Sequence, residues 1–501
     1  MKKFEDIAAT QEFIQLEKRI FENLYNSGLN GEKQTFVLYL LYLHNYCKLN
    51  FADNPKGRIL NALLFRDMHD ENRELLVERP VHGLFEDYDG LDEMNDFFRQ
   101  DFIELGSQES AILEFLEISK AISEIIGLID PSQYGDLFDH ILFHIYNKNG
   151  RGIGLNIQPK EVTELMIQLA DLKPNAKVYN PFAGYASLCV NLPKDCTFIA
   201  QENNIRTHYV AKMRLDAHNL SKNGSLRQED SIKKWNSINE KFDLIISNPP
   251  FGNLAPKNSL NYKTFHQFLI VNGLQNLKPD GKLITLVPQS FLYNSSKKET
   301  ELRRYCIDND LVETILALPQ GMLKDTGIKT ALLILNNKKE KGKINKISLV
   351  DAEEILVKKN VREKILDIEK LNSALEKHKD SESVKIVTNE QVKSKDYLLD
   401  VQRYFIDYLN NEELRDAIPL KDLLQIVKPI RVKKESLAGK SIQIKNLKND
   451  KLDFQLNLNE IETTEIPNQI YKVEESCLLM ATVWNNAKPT YFKYEGEPIY
   501  V

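Results

Sequence analysis

The stretch "FDLIISNPPFGN", Phe242 to Asn253, decides how this chain is read. An apolar, β-branched run stops at Asn248 and is followed by Pro249, Pro250 and Phe251. Proline has no N–H to give to a sheet, so a strand must end here. The residue before a proline is pushed out of the helical region, and proline locks its own φ. The carbonyls of Asn248 and Pro249 are thus presented by a stiff backbone. With the Asn248 carboxamide oxygen they form neighbouring acceptors suited to a planar amino group with two N–H donors. Phe251 adds a flat face on which the ring bearing that amine can stack. Drawing both hydrogens toward fixed acceptors frees the nitrogen lone pair and stabilises the positive charge that develops on it. Such a strand end is built for an amine that acts as a nucleophile.

Short apolar runs alternate with helical segments from about residue 160 to 338. The runs are "AKVYNP", "CTFIAQE", "FDLIISNP", "KLITLVP", "LVETILALP" and "TALLILNN"; among the segments between them are "IRTHYVAKMRLDAHNL", "YKTFHQFLIVNGLQNL" and "KETELRRYCIDN". This alternation predicts an α/β, Rossmann-like fold: a mainly parallel sheet, helices on both faces, and ligands at the carboxyl ends of the strands. Residues 1–145 carry apolar residues at three- and four-residue spacing and read as a helical domain. The catalytic domain is placed at 146–350, a charged, helix-prone extension at 351–415, and a β-rich module at 416–501. The last run, "PTYFKYEGEPIYV", ends on a strand-like pattern with no closing turn, so the chain is expected to be part of a longer polypeptide.

At 501 residues the chain exceeds what one core supports. It has no run of 18 apolar residues and its N-terminus lacks the apolar core of a secretory signal, so no membrane span is expected. Five scattered cysteines, without a CxxC pair, read as free thiols in the cytoplasm. Net charge is −6, but it is unevenly spread. Nine acidic residues and one arginine fall between Glu86 and Glu109; eight basic and two acidic residues fall between Lys428 and Lys451. The second stretch is the better candidate for a phosphate backbone, or else a solvated lysine face. His140 and His144 stand at metal-ligand spacing on one helix face, but the face is apolar and no third ligand is evident, so they read as packing histidines and no metal is expected. No Gly-x-x-x-x-Gly-Lys-Ser/Thr motif occurs, so an accompanying nuclease or ATPase would be another chain.

An electrophile site is legible upstream of the Asn-Pro-Pro-Phe. "VYNPFAGYASL" is a strand, a turn and a helix start, with Gly184 and the small Ala183 and Ala186 allowing close approach of a ligand to backbone. Glu202 ends the next strand, 18 residues beyond Gly184, where a carboxylate would bind ribose hydroxyls. Asp230 ends the strand after that and could hold an adenine amine. The turn lacks the repeated glycines of a pyrophosphate site, so adenosine without phosphates fits better than a dinucleotide. S-adenosyl-L-methionine is such a ligand, and its sulfonium methyl is such an electrophile.

Taken together, Asn248 to Phe251 and the upstream turn resemble the N6-adenine DNA methyltransferases, most of all the modification subunits of type I restriction–modification systems. The resemblance covers roughly residues 130 to 410, including "YGDLFDHILFHIYNKNGRGIGLNIQPKEVTELM", "LPQGMLKDTGIKTALLIL" and "YLLDVQRYFI". It implies transfer of a methyl group from S-adenosyl-L-methionine to the N6 amine of adenine in double-stranded DNA, on a base flipped out of the duplex. It implies Asn248, Pro249, Pro250 and Phe251 as the catalytic set. The cofactor would be bound by Asn180, Pro181, Phe182, Ala183, Gly184, Tyr185, Ala186 and Ser187, by Glu202 at the ribose and by Asp230 at the adenine. Leu155 to Lys160, with Ile157, Gln158 and Pro159, would close over it. A specificity subunit and a separate restriction subunit are the implied partners. The last ~80 residues resemble the start of a specificity-type target-recognition domain through "QIYKVEESCLLMATVW", and phosphate contacts there would account for the local positive charge.

The chain departs from the family in its cofactor turn, with Asn180 where Asp is usual and Tyr185-Ala186-Ser187 where glycines are usual. In the lead-in loop Gln158-Pro159 stands for Thr-Pro. A charge near the cofactor's amino group is lost and Tyr185 adds bulk. Two alternatives stay open: a catalytically impaired, methyltransferase-like DNA-binding subunit, and a protein glutamine methyltransferase, whose enzymes share the tetrapeptide but carry Tyr at its fourth position.

Overall fold

A computed structural model of the chain describes residues 2–50, 93–94, 97–98, 109–149, 157–235, 238–252, 254, 262–323, 327–358, 364–376, 379–405, 418, 420–425, 430–431, 438–448, 454–465, 471–481 and 488–501. The chain forms two compact units, Met1–Ile406 and Asp407–Val501. The acidic run expected between Glu86 and Glu109 falls almost entirely outside the described residues, as does part of the basic run from Lys428 to Lys451.

The first unit begins with helices α1 (Phe4–Ala8), α2 (Gln11–Asn26), α3 (Phe36–Asn50), α4 (Glu109–Gly127) and α5 (Tyr134–Asn149). Thr10 starts α2 by accepting the Phe13 N–H on its hydroxyl at 3.3 Å, which satisfies one of the free donors of the first turn. The helix then buries one stripe, Phe13, Leu16, Ile20, Phe21 and Leu24, at helical period. In α3, by contrast, every residue from Phe36 to Leu43 is buried, as befits a helix wrapped on all sides. It packs against α4, α5 and the later helix Ile205–Ala217. Tyr42 donates to Asp216 Oδ2 of that later helix at 3.0 Å. The core of the bundle runs on into Tyr185, Tyr209, Val210 and Met213. The helical bundle thus packs directly on the turn after Asn180 and on the helix Ile205–Ala217.

His140 and His144 of α5 both bond the same carboxylate oxygen, Glu17 Oε1 on α2, at 2.8 and 2.7 Å. Burial alone would raise the Glu17 carboxyl, but the two imidazoles outweigh it and hold it at about 2. The partner was invisible in the sequence because it lies 123 and 127 residues away.

The sheet is built from β1 (Lys177–Asn180), β2 (Thr197–Glu202), β3 (Gly224–Gln228), β4 (Phe242–Ser247), β5 (Leu277–Pro288), β6 (Val312–Ala317), β7 (Thr330–Asn336) and β8 (Lys346–Asp351). A short ribbon, β9 (Leu356–Lys358) with β10 (Lys364–Leu366), stands apart, and β11 (Val384–Thr388) returns to the main sheet. The order across the nine strands is β11-β8-β6-β7-β5-β4-β1-β2-β3. β3, β2, β1, β4 and β5 are mutually parallel. β7 lies antiparallel between β5 and β6, and β11 antiparallel on β8. Leu244 and Ile246 of β4 feed one core and Ile245 the other, and a register shift between Phe242 and Leu244 puts Phe242 in the core of Ile245. Helices α6 (Lys160–Ala170), α7 (Ser187–Val190), α8 (Ile205–Ala217), α9 (Ser231–Lys234), α10 (Phe265–Asn276), α11 (Ser290–Tyr293) and α12 (Lys297–Asp308) connect the strands or lead into them. After β3 the chain returns to place β4 on the far side of β1. The carboxyl ends of β1 and β4 thus meet at the switch point where such sheets bind ligands.

The stretch 351–415, expected to be helical, is only partly so. It holds helices α13 (Ile368–Glu376) and α14 (Asn389–Lys393), but "VKIVT" between them is a sheet strand. Its five residues cover the edge of β8, which would otherwise present unpaired backbone groups.

The second unit is made of short strands: β12 (Ile430–Arg431), β13 (Ala438–Ser441), β14 (Thr463–Glu465), β15 (Tyr471–Val473), β16 (Cys477–Leu479), β17 (Thr490–Phe492) and β18 (Ile499–Tyr500). Five form a sheet, β12-β15-β18-β13-β14, and β16 pairs with β17. Leu456, Ile461, Phe492 and Ile499 make its small core. Among the described residues no helix is long and apolar enough to cross a membrane.

Candidate active site

A cavity of about 780 Å³ opens at the carboxyl ends of β1 to β4. Thirteen of the residues expected to form the site line it: Ile157, Gln158, Pro159, Pro181, Phe182, Gly184, Tyr185, Glu202, Asp230, Asn248, Pro249, Pro250 and Phe251. The parallel strands bring together strand-end segments from Pro181 to Phe251 because all four end on the same side. Leu155 and Asn156 of the lead-in loop lie outside the described residues.

At the end of β4, Asn248 is half-buried, Pro249 buried and Pro250 exposed. Asn248 Oδ1 is buried with no hydrogen-bond partner. A buried acceptor left unmade costs free energy and in a folded protein calls for an explanation. A donor brought by a ligand would satisfy it. Phe251 packs its inner edge on the core beneath the sheet, and Phe265 meets Phe182 edge-on at 5.9 Å between centroids, so this end of the cavity has aromatic walls.

The turn after β1 is held from several sides. Ala183 N–H donates to the Gln201 carbonyl at 2.9 Å, and Gly184 N–H donates to Glu202 Oε2 at 2.9 Å. Gly184 sits at φ +54 and Ala186 at φ +57, the left-handed region that a glycine enters freely and an alanine does not. Four expected cofactor residues, Asn180, Ala183, Ala186 and Ser187, are buried and are not among the cavity's lining. Asn180 Oδ1 is a second buried acceptor without a partner. The Ser187 hydroxyl takes a hydrogen bond from Arg214 instead. The bulk of Tyr185 is absorbed by the helical bundle, in whose core it is 5% exposed. Burial raises its phenol above the ordinary range, partly opposed by a hydrogen bond with Thr207.

Glu202 spans the turn, Oε2 on Gly184 N–H and Oε1 on Asn204 N–H at 2.7 Å. Burial raises its carboxyl, and these backbone bonds pull the other way. Each oxygen keeps a lone pair for a hydroxyl in the cavity. Asp230 is more occupied than the sequence suggests. It caps α9 by accepting the Ile232 N–H at 3.0 Å, and its Oδ2 stands 3.1 Å from Lys233 Nζ. Residues the sequence did not mark complete the wall. Glu32 and Tyr146 come from the helical bundle; Gln201, Thr207, Leu254, Leu323 and Ile328 come from the sheet unit. Only the acidic character of Glu32 could have drawn notice, and nothing nearby in the chain distinguished it.

These features suit a bound adenosine with a positively charged tail. Three carboxylates (Glu32, Glu202, Asp230) line it against one lysine (Lys233), and the unpartnered acceptor Asn248 Oδ1 lies at the end of β4. Among the described residues, no group of His, Cys, Asp and Glu could hold a metal ion.

Residues 130–413 match the N-6 DNA methylase family. The chain is 25% identical over 365 residues to the type I restriction enzyme MpnII methylase subunit of Mycoplasma pneumoniae, a match covering 64% of each chain. It is 24% identical over 333 residues to the HindI methylase subunit of Haemophilus influenzae, covering 58% of this chain and 72% of that one. The alignment thus spans a little under two thirds of the Mycoplasma pneumoniae relative. Among solved structures, a type I restriction–modification methyltransferase subunit from Streptococcus thermophilus superposes with a TM-score of 0.59 at 19% identity, over 78% of this chain and 99% of that one. A chain from a type I restriction–modification assembly also gives 0.59, at 15% identity, over 83% and 94%. At these identities the superpositions speak for the fold.

Proposed function

Since the chain belongs to the N-6 DNA methylase family, we propose that it transfers a methyl group from S-adenosyl-L-methionine to the exocyclic N6 amine of adenine in DNA. The observation that carries this reading is Asn248 Oδ1, a buried acceptor without a partner on the wall of a cavity that also presents Glu202 and the β1 turn. When bound, the cofactor supplies a methyl group activated by a sulfonium. The rest of the chemistry belongs to this chain. Asn248 Oδ1 and the Pro249 carbonyl accept the two amine hydrogens, pulling the nitrogen out of plane and stabilising its growing positive charge. Phe251 stacks on the base, and Leu254 and Phe265 narrow the site against water. Glu202 binds the ribose hydroxyls. Asp230 would hold the adenine of the cofactor, Gly184 and Tyr185 would border its methionine end, and Ile157 to Pro159 would close over it. Glu32, Glu202 and Asp230 give the cavity the negative character that a cationic cofactor requires.

The same reading places the protein in the cytoplasm with double-stranded DNA as substrate, in a restriction–modification or phage-defence system with a specificity subunit and a separate restriction subunit. The second unit serves as a target-recognition module. The test is transfer of labelled methyl to unmethylated bacterial DNA, with Asn248→Ala alongside. Label on adenine that vanishes in the variant supports the proposal. Label on protein glutamine, or measurable cofactor binding with no transfer even beside a specificity subunit, overturns it in favour of the two alternatives.

A further inference from the structure

One fully buried cation lies directly behind the cofactor turn without touching the cavity. Arg214, on α8, is 2% exposed. Its Nε and Nη2 pair with Asp139 Oδ1 and Oδ2 of α5 at 2.6 and 2.9 Å, a bidentate geometry. Its Nη1 donates both to the Tyr185 carbonyl and to Ser187 Oγ, each at 2.9 Å. The Phe143 ring stands 5.7 Å from the guanidinium. His218 Nε2 stands 3.4 Å from Asp139 Oδ1. Burial would raise the Asp139 carboxyl, yet Arg214 and His218 together hold it at about 2, so the pair stays ionic.

The two groups that Nη1 holds flank one residue, Ala186, the alanine at φ +57. An L-residue in that conformation is strained and persists only where its surroundings impose it. Here they do. One nitrogen grips the carbonyl before Ala186 and the hydroxyl after it, and that nitrogen is anchored through Asp139 to the helical bundle. We propose that Arg214, held by Asp139, is a positioning residue that sets the Gly184–Ser187 turn in its cofactor-binding shape. It supplies by clamping what a glycine at position 186 would supply by conformational freedom. The cofactor site is in this way tuned from the N-terminal helices, which contribute Asp139 behind the turn and pack on the Tyr185 side chain.

The inference rests on the proposed cofactor, and the experiment separates the two. Binding of S-adenosyl-L-methionine to the full chain is measured by calorimetry, with kcat for methyl transfer at saturating cofactor. Wild-type protein that does not bind the cofactor at all overturns the functional reading, and the inference with it. Given wild-type binding, Arg214→Lys, which cannot reach Asp139, Tyr185 and Ser187 at once, is expected to weaken it about tenfold, the equivalent of one charge-assisted hydrogen bond. Its kcat at saturation should stay near that of wild type. Adding Ala186→Gly should restore the affinity, because glycine needs no clamp. A purely structural arginine would instead lower melting temperature and active fraction together, leave Kd of the active molecules unchanged and show no rescue; that result overturns the proposal. Should Arg214→Lys not fold, Ser187→Ala removes one bond from the clamp alone. It should weaken binding several-fold, and an unchanged Kd sinks the idea.

Discussion

Asn248 is held by the backbone around it and not by bonds to its own acceptor oxygen. A buried acceptor left unmade costs about 1–3 kcal/mol, so Asn248→Ala should leave the melting temperature unchanged or slightly higher. Methyl transfer should fall by about 10²–10³-fold or more, the usual loss when a charge-stabilising partner is removed from a reaction centre. Thermal melts and label transfer on the same preparations check both halves. At Ala186 the opposite holds: Ala186→Val forces a β-branched side chain into a left-handed, fully buried position and should cost about 1–3 kcal/mol, read from urea unfolding. The catalytic tetrapeptide was legible because it is contiguous and its prolines dictate where a strand stops. Arg214 and Asp139 were not, because 75 residues separate them and each alone looks like a surface charge on a helix. Ser187 was legible as part of the turn, though its hydroxyl faces the arginine and not the cavity.

Between elements, α2 and α5 are tied by Glu17 lying between two histidines. Its carboxyl is depressed from 4.5 to about 2 on folding. The stabilisation is fully present above the unfolded value and is lost as pH falls from about 4.5 through about 2, where the folded form finally takes up its proton. Glu17→Gln should therefore lower the melting temperature near neutrality and flatten its decline over that acid window, so that the two curves converge at low pH. Parallel curves would show that the pair contributes nothing. Helices such as α2 were readable from period alone. The strand β11 was not: "VKIVT" is short, flanked by charged, helix-prone sequence, and takes its conformation from the open edge of β8.

At the scale of the whole molecule, every residue lining the cavity belongs to the unit Met1–Ile406. A fragment ending at Ile406 should bind S-adenosyl-L-methionine within about twofold of the full chain, since a unit with its own core folds and binds by itself. Its DNA affinity should drop and lose salt dependence, because the basic run from Lys428 to Lys451 is gone. Retention assays at two salt concentrations test this. The doubly wound plan was visible in the alternation of apolar runs and helices. The antiparallel insertion of β7 was not, since strand order depends on pairings that no local pattern encodes.

That insertion also has a bearing on how the protein comes to exist. β7 slots between β5 and β6, although both precede it in the chain. While the polypeptide is being made, β6 has no neighbour on the β5 side until Asn336 has left the ribosome, and the edge of β5 away from β4 stays unpaired meanwhile. Such an edge recruits other strands, and late non-local pairing is slow. Nascent chains halted before Thr330 should therefore be a distinctive target for chaperones, and those halted beyond Asn336 much less so.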